Sequence, residues 1–481
     1  MGALANLSRV STGVSGLDEV IGGGCPLGSL IILAGNPGTG KTIFSATFLY
    51  NGIVNYSEKG VYVSFAENGE TFLSNMLSLG FNFEELEKRN MFRFLDLVTA
   101  REEAAPAIME TVLREVSEFG AKRLVIDSFS AMAQAFKDTH ETRILLHTIL
   151  SRATRLLDCT TILVVEVPYG ENRMGLGIEE FIADGIILLR RSEFEGGRFL
   201  REMEILKMRG TPTPEARLVF TLKDGFKAFL PFKPKPIEKP SRFQPQPDTK
   251  EIFSTGSPDL DKMLEGGYPR GLTALIEIDE HISTLQYHLV VAPTAWNFGA
   301  QGKGVIILPS AGVDHNVLRL RAEEAGFTRD EINRLLRVCV KASPELKPEP
   351  YVVAFRGESL QEDYAKYLEV EKDLRDRTGQ PILHITGVDV IADIYGVKET
   401  VTAIKSYVTR MRETGDLSIL LLKPGYPELV KILAATADTH LKITRTYGSV
   451  LVHGIKPRTS LYVLEMDSSK GHPMPKLTPI I

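Results

Sequence analysis

Cysteine is scarce in this chain. Cys25, Cys159 and Cys339 are the three cysteines among 481 residues, and they lie far apart without a C-x-x-C pair. This spacing argues against a disulfide framework, which needs paired cysteines. We therefore expect reduced thiols in a cytoplasmic protein.

Long hydrophobic runs and a secretory leader are lacking as well. No stretch approaches the roughly 18 uninterrupted apolar residues of a membrane-spanning helix. The opening residues MGALANLSRV do not show the basic, apolar and small-residue order of a signal peptide. We therefore expect a soluble protein without a membrane partner.

Neither sign of charge dominates the composition. Lysine and arginine total 56 against 61 aspartates and glutamates, which gives a formal net charge of −5. This balance argues against a protein that binds polyanions over its whole surface, and it leaves a local nucleic-acid groove open.

One glycine-rich stretch carries recognisable chemistry. Residues 35–42 read GNPGTGKT and satisfy the P-loop pattern G-x-x-x-x-G-K-[ST]. Glycines allow successive amides to turn inward around a phosphate, Lys41 would reach the β- and γ-phosphate oxygens, and the Thr42 hydroxyl would bind Mg²⁺. An apolar run (29–33) before the loop and a helical run after it predict that a helix N-terminus faces the phosphates. The predicted nucleotide-binding residues of the loop are Gly35, Asn36, Pro37, Gly38, Thr39, Gly40, Lys41 and Thr42.

Two carboxylates elsewhere in the first half complete the predicted site. Asp127 ends the apolar stretch RLVID (123–127), where it would hold the hydrated Mg²⁺ ion. Glu67 ends the stretch GVYVSFAE (60–67) and would orient a water molecule towards the γ-phosphate. Glu70 is the alternative base.

The chain contains the same unit twice. STGVSGLDEVIGGGCPLG (11–28) and STGSPDLDKMLEGGYPRG (254–271) match without a gap, with an offset of 243 residues from Ser11 to Ser254. In each half, apolar β-branched runs alternate with helical periodicity. This alternation predicts an α/β fold with a mostly parallel sheet flanked by helices.

A proline-rich stretch separates the two copies. PFKPKPIEKPSRFQPQP (231–247) has too much proline for a helix or a central strand and favours an extended conformation. We therefore predict two domains, at residues 1–232 and 249–481, joined by a linker at 233–248.

The chain resembles the KaiC/RadA branch of the RecA-like ATPases, and in particular two-domain KaiC-like proteins. The motifs STGVSGLDEVIGGGCPLGSLIILAGNPGTGKT, GVYVSFAE, VIDSFSAM, GIEEFIADGIILL and EILKMRGTP carry the resemblance, in that order, within residues 8–231. It implies two tandem RecA-like domains, ATP and Mg²⁺ as cofactors, and a homo-oligomeric ring, with a hexamer favoured. A weaker resemblance to archaeal gas-vesicle regulators of the D type implies transcriptional control.

The resemblance also assigns roles to single residues. KaiC proteins usually carry two adjacent glutamates after the second strand, whereas this chain has Ala66 and Glu67. Glu67 is then the catalytic base, and whether hydrolysis is slow or lost stays open. Lys207 and Arg209 in EILKMRG lie two apart, so they share one face of a predicted strand. The resemblance implies that this pair reaches the γ-phosphate bound by the adjacent subunit.

The second copy has lost the P-loop. With the offset of 243, the loop becomes IDEHISTL (278–285), which contains neither glycine nor lysine. Asp279 and Glu280 stand where phosphate oxygens would lie, and like charges repel. Ala311 aligns with Glu67, and Thr386 lies near the position of Asp127. We therefore predict that the second half is a pseudo-ATPase domain.

One basic pair survives in the second copy. Lys456 and Arg458 in GIKPRTS align with Lys207 and Arg209. One hypothesis is that they act on a nucleotide held elsewhere. The alternative is that they are two exposed basic residues in a loop.

Three functions fit these observations. The leading one is an ATP-binding regulatory or signalling ATPase with one competent site per chain and a possible protein partner. The second is a recombinase-like ATPase stimulated by single-stranded DNA, for which the loop YGENRMGLG (169–177) is the candidate contact. The third is a nucleotide-gated interaction or transcription regulator with little turnover.

Overall fold

The computed structural model describes residues 8–97, 105–130, 157–169 and 182–481. The chain divides into two compact units, Met1–Pro231 with Pro479–Ile481, and Phe232–Thr478. Each unit is built on one large, mostly parallel sheet flanked by helices, which confirms the predicted α/β fold of two tandem RecA-like domains. Within the described residues, no helix has both the length and the apolar character needed to cross a membrane.

The first unit contains strands β1 to β11 and, among the described residues, helices α1 to α5. The strands are β1 (Arg9–Val10), β2 (Cys25–Pro26), β3 (Leu30–Gly35), β4 (Gly60–Ser64), β5 (Phe92–Asp96), β6 (Arg123–Asp127), β7 (Thr160–Glu166), β8 (Gly185–Phe194), β9 (Arg198–Met208), β10 (Arg217–Thr221) and β11 (Lys227–Phe229). The helices are α1 (Leu17–Val20), α2 (Lys41–Tyr56), α3 (Gly69–Ser78), α4 (Phe83–Lys88) and α5 (Ala105–Phe119), and a 3-10 turn lies at Glu195–Gly197.

The main sheet of the first unit has the order β11-β10-β9-β8-β3-β7-β6-β4-β5. The strands from β8 to β5 are parallel, and β9, β10 and β11 continue the sheet in antiparallel fashion. All six residues of β3 are buried. Ile31 and Leu33 pack into one hydrophobic cluster, whereas Leu30, Ile32 and Ala34 pack into another, because successive side chains of a strand point to opposite faces. The loop after β3 is therefore anchored to the centre of a doubly covered sheet.

The second unit contains strands β12 to β23 and, among the described residues, helices α6 to α13. The strands are β12 (Ile252–Phe253), β13 (Tyr268–Pro269), β14 (Thr273–Ile278), β15 (Val305–Leu308), β16 (Leu336–Lys341), β17 (Val352–Phe355), β18 (Leu383–Gly387), β19 (Leu417–Leu422), β20 (Thr439–Thr446), β21 (Ser449–Lys456), β22 (Tyr462–Asp467) and β23 (Met474–Pro479). The helices are α6 (Pro258–Met263), α7 (Thr284–Ala300), α8 (His315–Glu324), α9 (Arg329–Leu335), α10 (Leu360–Thr378), α11 (Val388–Tyr395), α12 (Val397–Thr414) and α13 (Pro427–Thr436).

The second sheet repeats the first strand for strand. Its order is β17-β16-β15-β18-β19-β14-β20-β21-β22-β23, so that β14 takes the place of β3 and β17 extends one edge. β14 begins 243 residues after β3, at Thr273 against Leu30, and α7 begins 243 residues after α2, at Thr284 against Lys41. The offset read from the repeated sequence therefore holds through the strand, the loop and the start of the helix.

The repeated motif STG…LD has a structural role in both units. The carboxylate of Asp18 accepts hydrogen bonds from the hydroxyls of Ser11 and Thr12, each at 2.6 Å. Asp18 also accepts from the Thr12 amide at 2.8 Å. In the second unit, Asp261 accepts from the Ser254 hydroxyl at 2.6 Å and the Thr255 amide at 2.7 Å. In both units the motif therefore stabilises the segment that precedes the sheet. This role does not require a nucleotide, which explains why the second half also has the motif.

The proline-rich stretch belongs to the second unit. Phe243 is buried and contacts the ring of Trp296, with centroids 5.9 Å apart, and its amide donates to the Ala325 carbonyl. Arg242 forms an ion pair with Glu331 at 2.6 Å. The segment predicted as a linker is thus held along much of its length by contacts within the second unit.

Candidate nucleotide-binding site

The loop between β3 and α2 has a shape that requires its glycines. Gly38 and Gly40 have φ angles of +76° and +104°, a region that side chains disfavour. A Cβ atom at Gly35 would lie 2.6 Å from the Leu189 carbonyl oxygen and 2.7 Å from the Thr39 hydroxyl. Among the residues that the structure describes, no side chain caps the N-terminus of α2. The first amides of α2 are thus available to an anion, as phosphate binding requires.

Lys41, the first residue of α2, points back over the loop. Its ammonium group donates to the carbonyls of Gly35 at 2.9 Å and Asn36 at 3.0 Å, and the residue is only 8% exposed. Burial lowers the pKa of Lys41, and the nearby charges of Glu166 and Asp127 partly oppose that shift. The ammonium group is thus buried over the loop and bound to two of its carbonyl oxygens.

Asp127 and Thr42 meet at the carboxyl end of the sheet. The Thr42 hydroxyl donates to Oδ2 of Asp127 at 3.1 Å, although the residues are 85 apart in sequence. The Tyr62 hydroxyl donates to the same carboxylate oxygen at 2.5 Å. Hydroxyl and carboxylate oxygens are the ligands that Mg²⁺ prefers, so the donor set fits the predicted metal. Sequence reasoning missed Tyr62, because nothing in the local pattern shows which face of β4 meets β6.

Glu67 lies three residues beyond the end of β4, and the last residue of that strand, Ser64, pairs with Asp127 on β6. The Glu67 amide donates to the Ser64 hydroxyl at 3.0 Å, and its Oε1 accepts from Nδ2 of Asn75 at 2.8 Å. Glu67 is half-buried, whereas Glu70 is exposed in the first turn of α3. Of the two candidate bases, Glu67 is therefore the less exposed and the nearer in sequence to the strand that pairs with Asp127.

The segment after β7 supports the loop from the side. Glu166, the last residue of β7, pairs with Gly35 in the sheet register. Nδ2 of Asn36 donates to the Val167 carbonyl at 2.8 Å, and the Tyr169 hydroxyl donates to the Pro37 carbonyl at 3.0 Å. Tyr169 begins the stretch considered as a DNA contact, whose residues 170–177 lie outside the described part of the chain.

Lys207 and Arg209 lie at the opposite end of the sheet from the P-loop. Lys207 pairs with Ile186 on β8, and Arg209 forms an ion pair with Asp184 at 2.8 Å. The other oxygen of Asp184 accepts from the amide of Leu30, the first residue of β3. The P-loop follows the last residue of β3, about 17 Å away at the rise of a parallel strand. The pair therefore cannot reach the P-loop of its own chain.

In the equivalent loop of the second unit, side chains of the loop and of α7 bind the backbone amides. Its helix, α7, follows Ser283, whose amide donates to Oε1 of Gln286 at 2.8 Å, one half of a capping box. Oδ1 of Asp279 accepts from the His281 amide at 3.1 Å, and Glu280 is exposed. The start of α7 is thus capped by a side chain, and the loop before it carries two carboxylates.

The other catalytic positions of the second unit carry different chemistry. Thr386 pairs with Leu308 in the register in which Asp127 pairs with Ser64. Lys423 directly follows Leu422, which pairs with Glu277, so it stands where the first unit has Glu166. The Lys423 ammonium donates to the Ala311 carbonyl.

Lys456 occupies the register position of Lys207. It pairs with His440 on β20 as Lys207 pairs with Ile186 on β8, and both hairpins have an irregularity at the next residue. The Lys456 ammonium donates to the carbonyls of Ala434 at 2.9 Å and Ala437 at 3.2 Å, at the end of α13. This cation therefore neutralises a helix C-terminus in its own unit.

Comparison with known proteins identifies the class of the first unit. A family model described as "ATPase: KaiC" matches residues 10–228. Circadian clock oscillator proteins KaiC from Thermostichus vulcanus and Parasynechococcus marenigrum are 31% and 30% identical to the chain, over 55% and 54% of its length and 51% of theirs. The chain thus spans about half the length of the curated relatives it matches.

A solved structure of a KaiC-like protein from the archaeon Pyrococcus horikoshii is 34% identical, covers 47% of this chain and 100% of that one, and has a TM-score of 0.42. The residues matched by the family model include β3, the P-loop and the sheet around them. The N-terminal half of this chain is therefore a KaiC-like ATPase domain of the RecA type.

Proposed function

We propose that the first half of the chain binds ATP with Mg²⁺ and hydrolyses it to ADP and phosphate, whereas the second half binds no nucleotide. The observation that carries the proposal is the geometry of the P-loop. A helix N-terminus without a side-chain cap, glycines in left-handed conformations and the buried Lys41 ammonium converge on one small volume. Each of these features favours a phosphate group.

Binding exchanges one set of contacts for another. The ammonium of Lys41 leaves the carbonyls of Gly35 and Asn36 and binds phosphate oxygens, while the first amides of α2 bind the β-phosphate. Thr42 and Asp127 would hold Mg²⁺, which would supply positive charge that neutralises the phosphates.

Hydrolysis requires a base beside the γ-phosphate. Glu67 accepts a proton from water as the water oxygen bonds to the γ-phosphorus and the bond from that phosphorus to the bridging oxygen breaks. The carboxylate is held by Asn75, and the preceding Ala66 supplies no second acid. We expect slow turnover, since one carboxylate must both bind and orient the water.

The position of Lys207 and Arg209 supports a ring. The pair lies at the end of the sheet away from the P-loop of its own chain, which supports a role at the nucleotide of an adjacent copy. We propose a homo-oligomer, with a hexamer favoured, in which ATP lies between neighbouring first halves.

The capped loop of the second half supports different roles for the two halves of the chain. The capped α7 terminus, Asp279 and Glu280 disfavour phosphate, so one competent site per chain remains. We propose a regulatory ATPase that communicates its nucleotide state to a protein partner. A nucleotide-gated regulator with little turnover is the second candidate, favoured by the single carboxylate at Glu67.

Steady-state ATP hydrolysis, measured with and without single-stranded DNA, tests this function together with mass measurement of the oligomer. We expect Mg²⁺-dependent hydrolysis that DNA does not accelerate, and a mass of several chains that nucleotide stabilises. Strong stimulation by DNA would instead favour a recombinase-like protein. Nucleotide binding without measurable turnover would favour the gated regulator.

A further inference from the structure

The second unit contains a cavity that the nucleotide chemistry does not explain. Its volume is about 260 Å³, and it opens at the carboxyl ends of β15, β16 and β18, beneath α10, α11 and α12. In open α/β sheets this edge is where ligands bind. We refer to it below as the aromatic cavity.

The walls of the aromatic cavity are mainly apolar and aromatic. Val340, Phe355, Ile391 and Ile404 contribute aliphatic and aromatic surface. Four tyrosines complete the lining, namely Tyr364, Tyr367, Tyr395 and Tyr407. Such a lining favours a ligand with a large apolar surface over a nucleotide or a sugar.

The charged groups in the lining are satisfied or lie at the surface. The carboxylate of Asp363 accepts hydrogen bonds from the Gly357 amide at 2.7 Å, the Arg356 amide at 3.0 Å and the Tyr395 hydroxyl at 2.6 Å. Lys341 ends β16 and is exposed. Burial raises the pKa of the Cys339 thiol to about 12, so this wall group stays neutral. The interior of the aromatic cavity therefore carries no charge that needs a counter-ion in the ligand.

The loss of the catalytic carboxylates contributes to this neutrality. Ala311 and Thr386 both line the aromatic cavity, and they stand at the positions that Glu67 and Asp127 occupy in the first unit. Carboxylates at these two positions would place negative charge against an apolar ligand. Ala311 and Thr386 thus leave this part of the cavity wall without a carboxylate.

One polar group in the wall makes no hydrogen bond of good geometry. Tyr407 is 7% exposed, and its hydroxyl has no such partner among the described residues, although the hydroxyls of Tyr367, Thr386 and Ser418 all lie nearby. The hydroxyl of Tyr367, in contrast, is hydrogen-bonded to Nδ1 of His384 at 2.5 Å. A buried hydroxyl without a partner is unfavourable unless a ligand or water supplies one.

We propose that the aromatic cavity binds an uncharged aromatic molecule of one or two rings with a single hydrogen-bonding group. A dry cavity of about 150 Å³ accommodates benzene in another protein, so this volume suits a somewhat larger ring system. The tyrosine and phenylalanine rings pack against the ligand, and the Tyr407 hydroxyl binds its polar group. The site is separate from the ATPase site and does not depend on nucleotide turnover.

Calorimetric titration of the full chain with 1-naphthol tests the site, with 1-naphthoate as the charged ligand of similar shape. We expect one 1-naphthol per chain and binding of 1-naphthoate that is weaker by about a hundredfold, because burial of a carboxylate without a partner is costly. Absence of 1-naphthol binding, or equal binding of the two probes, would overturn the proposal.

Two variants of α12 locate the bound probe. Ala403 lines the aromatic cavity, whereas the adjacent Thr402 is exposed and does not line it. Ala403→Phe should fill the space and weaken 1-naphthol binding by about tenfold or more, while Thr402→Phe should leave it unchanged. The emission of Trp296, the single tryptophan, checks that both variants keep the fold of the second unit. Undiminished binding to a folded Ala403→Phe variant would place the probe elsewhere and refute the site.

Tyr407→Phe provides an independent measurement if Ala403→Phe fails to fold. It removes only the hydroxyl, which makes no hydrogen bond of good geometry within the described residues. We expect 1-naphthol to bind about five- to tenfold more weakly, since one hydrogen bond is lost, whereas naphthalene binds as before. Equal losses for both probes, or no loss for 1-naphthol, would contradict the assigned role of Tyr407.

Discussion

The hydroxyl of Tyr62 donates a hydrogen bond to Oδ2 of Asp127 at 2.5 Å, the same oxygen that accepts from Thr42. The Tyr62 ring is buried and stacks on Phe94, with centroids 5.5 Å apart and an angle of 7° between the planes. Burial raises the pKa of Tyr62 well above its ordinary value, so the hydroxyl keeps its proton. Tyr62 therefore holds the Asp127 carboxylate in one orientation beside Thr42.

Tyr62→Phe should weaken Mg²⁺ binding at Asp127 and leave the P-loop intact. A hydrogen bond to a charged group contributes about 1.5–3 kcal/mol, so the Mg²⁺ concentration for half-maximal hydrolysis should rise by about tenfold. ATP affinity in the absence of Mg²⁺ should stay the same. Tyr50→Phe, in the aromatic cluster with Phe81 and Phe83, is the matched control. An unchanged Mg²⁺ dependence for Tyr62→Phe would show that Asp127 needs no such support.

Glu67→Gln should preserve ATP binding and slow hydrolysis by about 10²–10⁴-fold, the range expected for loss of a general base. The amide keeps the size of the side chain but cannot accept the proton from water. Single-turnover hydrolysis at saturating ATP measures the effect, and Glu70→Gln in the exposed first turn of α3 should be nearly silent. If Glu67→Gln hydrolyses ATP at the normal rate, Glu166 becomes the next residue to test, because it pairs with Gly35 at the loop.

One ATP should bind per chain. Titration with a non-hydrolysable ATP analogue should saturate at that stoichiometry, because Asp279, Glu280 and the capped start of α7 disfavour phosphate in the second unit. Lys41→Ala should abolish the binding heat, since it removes the cation that contacts the phosphates. Two equivalent sites would show that the second half still holds nucleotide, whereas unchanged affinity of Lys41→Ala would contradict the assignment of the P-loop.

The basic pairs distinguish two arrangements of the ring. In one arrangement, the first halves of all chains form one ring and the second halves form another ring, which we call tiers. In that case Arg209→Ala should reduce turnover by about 10³-fold, and Arg458→Ala should have little effect. If the halves alternate around a single ring, the effects should be reversed. We favour the tiered arrangement, because the resemblance to two-domain KaiC-like proteins implies it. Turnover rates of the two variants decide the question, and a loss confined to Arg458→Ala would refute the tiers.

The sequence by itself determined the features that depend only on residues close together in the chain. The P-loop pattern, the offset of 243 residues and the missing glycines and lysine of residues 278–285 could be read from the sequence, because each depends on residues adjacent in the chain. The start of α7 at Thr284 matches the start of α2 at Lys41 for the same reason. Apolar β-branched runs were sufficient to predict the sheets, since burial on both faces leaves few other residue types possible.

Only the tertiary structure decided which distant residues meet. Tyr62 contacts Asp127 because β4 pairs with β6, and this neighbour relation cannot be read from either strand alone. Asn75 holds Glu67 because α3 folds back beside the end of β4. The aromatic cavity likewise required the order of the strands and the helices above them, since its walls come from residues 308–420. Local patterns specify elements, whereas a site depends on how elements pack, and that packing is determined by contacts between residues far apart in the sequence.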